Sequence, residues 1–116
     1  MDIIKIQGNS IVYSYKGGLK TAFCRDLVAI ECEKPFIRLV LNNDKILVRA
    51  SLTVVETQLQ DYFIRVNRQV IVNMHHVSEL LLKNGSYWLL LSKGLKYRVS
   101  ERREKAVRTA YLLSMV

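Results

Sequence analysis

The chain has 116 residues, half of them apolar and 24% charged, with one Pro and five Gly. That is one domain's worth of chain, long enough to bury a core without disulfides and too apolar for disorder, with no apolar run near the ~18–20 residues of a membrane-spanning helix. The 18 Lys+Arg against 10 Asp+Glu give a formal charge of +8, split as net +2 over residues 1–60 and net +6 over residues 61–116; an acidic polymer is the favoured partner class, met mainly by the second half.

In chain order the pattern is of many short strands. Ile3 to Gln7, Ile11 to Tyr15 and Leu27 to Glu33 are β-branched or aromatic runs with partial alternation, broken by Gly8-Asn9-Ser10 and Gly17-Gly18. Phe36 to Leu41 and Lys45 to Ala50 flank Asn42-Asn43-Asp44, residues that tolerate positive φ, so a hairpin is expected. Ser51 to Gln60 changes period. Thr53 with Glu56 can form a capping box, and Leu52, Val55 and Leu59 share one helical face, which predicts one short helix. Tyr62 to Val66 and Val70 to Met74 predict strands around Asn67-Arg68-Gln69. Val77 to Lys83 and Ser86 to Ser92 flank Asn84-Gly85, the strongest short hairpin signal. Leu95 to Val99 adds a last strand. Ser100 can then cap a C-terminal helix with Val107, Leu112, Ala106, Ala110 and Tyr111 on its apolar side and Arg102, Arg103, Lys105 and Arg108 mostly opposite. The expected fold is mostly β, with one internal helix and one at the end. Strand–helix alternation is absent, so a doubly wound parallel sheet is not expected.

Little in the sequence suggests catalysis. No GxGxxG or Walker loop occurs, and Lys16-Gly17-Gly18 reads as a turn. The only histidines, His75 and His76, are adjacent; in or beside a strand their side chains would point to opposite faces and share no centre. Cys24 and Cys32 form no CxxC and lie at no zinc spacing, so two reduced thiols are expected. Neither an enzyme, a metal nor a cofactor is expected. Met1-Asp2-Ile3-Ile4 lacks a basic stretch ahead of an apolar one, so no signal peptide is read and a cytoplasmic protein is expected.

Three loops carry the candidate binding residues. Asn67, Arg68 and Gln69 sit between two apolar strands. Arg can donate two parallel hydrogen bonds to guanine, and Asn or Gln can pair with adenine; the alternative is a solvated turn in which Asn67 satisfies its own backbone. In Ser100-Glu101-Arg102-Arg103 the two arginines oppose the positive end of a helix dipole. An anionic partner would explain them, as would a solvated face balanced by Glu101 and Glu104. Glu33-Lys34-Pro35-Phe36-Ile37-Arg38 links two strands, and Lys34 could reach a phosphate or lie in solvent. Asn73, closing the run Val70-Ile71-Val72, is assigned to backbone bonding at a strand end. Tyr87 and Trp88 are read as core and flank.

The run Phe63-Ile64-Arg65-Val66-Asn67-Arg68-Gln69-Val70-Ile71-Val72-Asn73, followed by Val77, the Asn84-Gly85 hairpin and Tyr97-Arg98-Val99-Ser100, resembles the LytTR DNA-binding domain family, whose pattern is roughly Phe-x-Arg-x-His-Arg-Ser-x-Ile-Val-Asn, a hairpin, and a short apolar stretch ending in Ser-Arg. The resemblance covers about residues 1–112, taking in the short helix and Leu27 to Glu33. It implies an elongated, mostly β fold of short antiparallel sheets in a bacterial transcription regulator, a type of response regulator output domain. Such proteins insert loops into successive major grooves of a direct-repeat site. Carried over, the DNA-contacting residues are Asn67, Arg68 and Gln69; Arg102 with Arg103; and Lys34 and Ile37 in the third loop. Asn67 stands where His is usual, Gln69 where Ser is usual, and Glu101 delays the arginine by one residue. No receiver domain or membrane segment accompanies the motif, so the expectation is a single DNA-binding domain over residues 1–116, either a single-domain regulator or an excised domain. The expected activity is sequence-specific double-stranded DNA binding that regulates transcription, with a dimer on DNA as an option. The alternatives are a protein-interaction module and an RNA-binding domain.

Overall fold

A computed structural model describes residues 2–114. Three antiparallel sheets stack into a body of 44 × 29 × 25 Å. The first holds β1 (Ile4–Gln7), β2 (Ser10–Tyr15) and β3 (Gly18–Phe23). The central sheet has five strands: β4 (Leu27–Glu33), β5 (Phe36–Leu41), β6 (Lys45–Val48), β7 (Phe63–Asn67) and β8 (Val70–Asn73), in the order β6-β5-β4-β8-β7. The third is β9 (Val77–Lys83), β10 (Ser86–Leu91) and β11 (Lys96–Arg98), with β10 in the middle. Helix α1 (Leu52–Glu56) lies between β6 and β7, and α2 (Glu104–Leu113) follows β11.

The central sheet is buried on both faces, which is why its inner strands read as near-continuous apolar runs. Ile30, Ile37, Leu39 and Ile71 pack with Ile11 and Tyr13 of the first sheet and with Leu52 and Val55 of α1. Val28, Ala29, Val40, Val66 and Val72 pack with Leu89 and Leu91 of the third sheet and Val107 of α2. The burial predicted for Leu52, Val55 and Leu59 is thus met, Leu59 packing at the edge of the first cluster. Asn73 is fully buried. Its Nδ2 donates to the Leu27 carbonyl at 3.0 Å and its Oδ1 accepts from the His75 amide at 2.9 Å, a backbone role as expected.

Several elements differ from the sequence reading. Strand β3 was not predicted: it is an edge strand exposed at almost every position, so it carries no inside–outside alternation. It pairs with β2 through a tight turn in which Lys16 and Gly17 take φ of 48° and 79°, the mirror-type turn that matches strand twist. The β5–β6 turn at Asn42–Asp44 forms, but with negative φ throughout. The helix over Ser51–Gln60 shortens to α1. Its cap is Ser51, whose Oγ accepts from the Val54 amide at 3.4 Å, and not Thr53. The carboxylate that a capping box would need, Glu56, is bound to Arg65. At the C-terminal end, Ser100 makes no side-chain cap. Glu101–Arg103 form a single 3-10 turn before α2. Val107 is buried and Ala110 and Tyr111 pack beside it, whereas Ala106 and Leu112 remain exposed. Leu112 lies about 140° around the helix from Val107 at 3.6 residues per turn, and 67% of it is accessible.

The remaining groups fall into structural places. Cys24 and Cys32 are free thiols, the first buried. His75 and His76 lie in a 3-10 turn. The His75 ring packs against Tyr62 at a tilt of 51°, centres 4.5 Å apart, and the His76 ring joins the Arg25 carbonyl (2.6 Å) to Ser92 Oγ (3.1 Å). Tyr87 packs on the second core cluster; Trp88 is partly buried under the Lys96 ammonium, 5.7 Å from its ring centre. Between the central and third sheets the Tyr97 hydroxyl donates to Glu31 Oε2 at 2.6 Å. Burial, then the bond to Glu31 and its negative charge, push the Tyr97 phenol well above its ordinary value of 10.0, against a weaker pull from Arg38.

Candidate nucleic-acid interface

The two-residue turn Arg68-Gln69 joins β7 to β8 at one end of the central sheet. Just before it the β7–β8 register shifts between Arg65 and Asn67, a bulge of the kind that bends a strand and re-aims side chains beside binding sites. Arg68 and Gln69 are exposed. Among the described residues no intramolecular hydrogen bond or ion pair engages either side chain, so a guanidinium and a carboxamide project together from a short, sheet-anchored turn.

Asn67 makes the backbone contact that the alternative reading of this turn assigns to it. Its Oδ1 accepts from the Gln69 amide at 2.8 Å and its Nδ2 donates to the Arg98 carbonyl at 2.7 Å. Pairing with adenine requires both amide atoms side by side and free; here each already holds a protein partner. Asn67 clips its own turn and fastens it to the end of β11. The Ser100 amide adds a second tie, donating to the Val66 carbonyl at 2.9 Å. The two loops singled out from the sequence are therefore one joined surface.

Arg65 holds the turn from its other side. Its Nε donates to the Asn67 carbonyl at 2.9 Å, one terminal nitrogen to the Arg68 carbonyl, and the other to Glu56 Oε1 at 2.9 Å. The third loop comes alongside because the Cys32 amide donates to the Gln69 carbonyl at 2.7 Å, which brings the Lys34-Pro35 link next to Arg68.

Two open grooves result, one on each side of the turn. Asn67, Arg68, Gln69, Val70, Arg98, Ser100, Arg102 and Arg103 line one. Lys34, Pro35, Arg49, Arg65, Arg68 and Gln69 belong to the other, with α1 residues at its base. Seven cations line the pair and no carboxylate does. Nearby carboxylates are paired: Glu31 and Glu33 with Arg38, and Glu56 with Arg65. Among the described residues neither Arg102 nor Arg103 forms an ion pair, so Glu101 and Glu104 do not neutralise them by direct contact. Low-dielectric walls and one sign of charge focus field into such clefts.

Ile37 is corrected by the structure. It alternates inward on β5 and is 0% exposed in the first core cluster, beyond reach of any surface partner. Arg49, Arg65 and Arg98 were not chosen from sequence as site residues. Arg65 and Arg98 stand inside the motifs that carried the resemblance, and that was their only signal. Nothing local marks Arg49, which reaches the groove through the β6–α1 connection. The charge asymmetry holds in part: five of the seven groove cations come from the second half, Lys34 and Arg49 from the first.

Comparison with known proteins follows the same line. Uncharacterised HTH-type transcriptional regulators of Staphylococcus aureus, for example from strains NCTC 8325 and COL, are 27% identical over 78 residues, covering 67% of this chain and 53% of theirs. This chain thus spans about half the length of the curated relatives it matches. Among the described residues α1 and α2 are separated by five strands, so the two helices are not consecutive and form no helix-turn-helix. A solved structure described as a LytTr DNA-binding domain from Bacillus cereus superposes with a TM-score of 0.79 over 90% of this chain and 97% of that one, at 19% identity. The LytTr DNA-binding domain family matches residues 18–111. With most of its length matched and the three-sheet fold shared, the chain belongs to the LytTR family of DNA-binding domains.

Proposed function

We propose that this domain reads double-stranded DNA with the joined loops, inserted in the major groove, and regulates transcription by doing so. The observation that carries the reading is the pair of carboxylate-free grooves flanking one rigid turn, with seven cations between them. Arg68 is the primary base reader, suited to guanine O6 and N7, and Gln69 takes the adenine-pairing role that Asn67 has given up. Arg102 approaches from the neighbouring loop. Arg103, Arg98, Lys34 and Arg49 meet phosphate, which positions the body and supplies most of the salt-dependent affinity. Contact with successive grooves of a direct-repeat site, occupied by two copies, is part of the same proposal. The names of the staphylococcal relatives and of the Bacillus cereus domain support a bacterial transcription regulator, and a cytoplasmic location is part of the same proposal.

Selection of bound duplexes from a random pool, with structured RNA and heparin as competitors at fixed salt, tests the proposal. Enrichment of two short repeats about one turn apart (~10 bp) is expected. Arg68→Ala and Arg102→Ala should each cost ~1–3 kcal/mol on the selected site. Equal retention of RNA or heparin, or parental affinity in both variants, overturns it.

A further inference from the structure

Arg65 lines a groove of cations, yet its guanidinium is turned to the protein. Glu56, the Asn67 carbonyl and the Arg68 carbonyl take its hydrogen bonds, and only 11% of its side chain is exposed. A guanidinium has five N–H donors in a fixed fork and accepts nothing. Bound this way it fixes two successive carbonyls of the turn, and so the orientation of the peptide planes from which Arg68 and Gln69 project. Glu56 has a second effect: it offsets the Arg65 charge, which would otherwise repel the Arg68 guanidinium a few residues away. A lysine could keep the ion pair but could not span both carbonyls.

We infer that Arg65, anchored on Glu56 of α1, is a positioning residue that sets base discrimination by holding the Arg68-Gln69 turn, and is not one of the phosphate contacts. α1 is then the footing of the reading loop. This rests on the DNA-binding reading for its DNA readout, but it also has a consequence in the free protein.

Four variants separate the roles: Arg65→Lys, Arg65→Ala, Glu56→Gln and Arg49→Ala. The first arm is amide hydrogen exchange of residues 67–70 without DNA, alongside thermal melting. Arg65→Lys should speed exchange of the Gln69 amide by about tenfold while amides of the β4–β8 ladder keep their protection, the signature of local opening. The second arm measures the ratio of affinity for the selected duplex to that for a random duplex, and the dependence of affinity on salt. Arg65→Lys and Arg65→Ala should lower the ratio by about tenfold, the discrimination of one bidentate base contact, with the salt slope unchanged. Glu56→Gln keeps an acceptor oxygen but removes the offsetting charge, so it should lower the ratio by less than Arg65→Lys does. Arg49→Ala should reduce the slope by about one and leave the ratio alone. The inference is overturned if Arg65→Ala reduces the slope by about one with the ratio intact, or if Arg65→Lys leaves both exchange and ratio at parental values. If the parent shows no sequence preference, the DNA reading fails and the exchange arm alone decides whether Arg65 orders the turn. If Arg65→Ala does not fold, Arg65→Lys carries both arms.

Discussion

Replacing Asn67 by alanine separates a staple from a reader. The structure gives its carboxamide two internal bonds, 2.8 Å from the Gln69 amide and 2.7 Å to the Arg98 carbonyl. A net intramolecular hydrogen bond contributes ~0.5–1.5 kcal/mol, so two at a half-buried site amount to about 1–2 kcal/mol after allowance for water replacing them. The melting entropy of a domain this size, ~2.1 cal/mol/K per residue, converts that loss into a fall in Tm of about 4–8 °C. The measurement is thermal denaturation of the free protein by circular dichroism, paired with fluorescence anisotropy on the selected duplex. Asn67→Ala should lower Tm by that amount, and affinity should fall because the two reading loops come apart. Asn67→Asp keeps the acceptor for Gln69 but loses the donor to Arg98, so its Tm should lie between parent and alanine variant. If Asn67→Ala melts within about 1 °C of the parent while affinity drops about tenfold, the amide reads DNA directly and the clip contributes nothing.

Other consequences are independent of DNA. Asn73→Ala strands the buried Leu27 carbonyl and frees the part-buried His75 amide; at ~1–3 kcal/mol for the buried group and less for the other, a loss of about 1–3 kcal/mol is expected in urea titration. Ile37→Ala opens a cavity in the first core cluster and should cost ~2–5 kcal/mol in urea titration; a loss within about 0.5 kcal/mol would restore Ile37 to the surface. The raised pKa of Tyr97 means that the folded protein holds this proton where the unfolded chain releases it. Its stabilising contribution is therefore complete below about pH 10 and is lost as pH rises toward the folded value. Urea midpoints should decline on the alkaline side of about pH 10, and Tyr97→Phe should flatten the decline. Some slope should remain, because burial raises Tyr13 and Tyr62 in the same direction.

The local code of this chain is informative where burial leaves a pattern in the residue types. Alternation marks β2 and β6, near-continuous apolar runs mark β4 and β8, Asn84-Gly85 takes the positive φ its hairpin needs, and the 3.6-residue period marks Leu52, Val55 and Leu59. β3 escapes because it is wet on both faces, so no period distinguishes it from a loop. Thr53 and Glu56 have capping-box spacing, but Glu56 is taken by Arg65, nine residues on, and Ser51 caps instead.

For the candidate site, sequence determined which residue types lie in the turns, and a motif resemblance determined which turns matter. Tertiary structure decided what each side chain is free to do. Ile37 and its neighbours could have faced either way in a link of unknown register; pairing of β5 with both β4 and β6 turned Ile37 into the core. Asn67 meets a carbonyl 31 residues away, and Arg49 and Arg98 reach the grooves from the first and second halves of the chain. Periodicity reports burial, which is a local property of a strand. Hydrogen-bond partners and shared electrostatic fields depend on how three sheets stack, and only the packed protein fixes that.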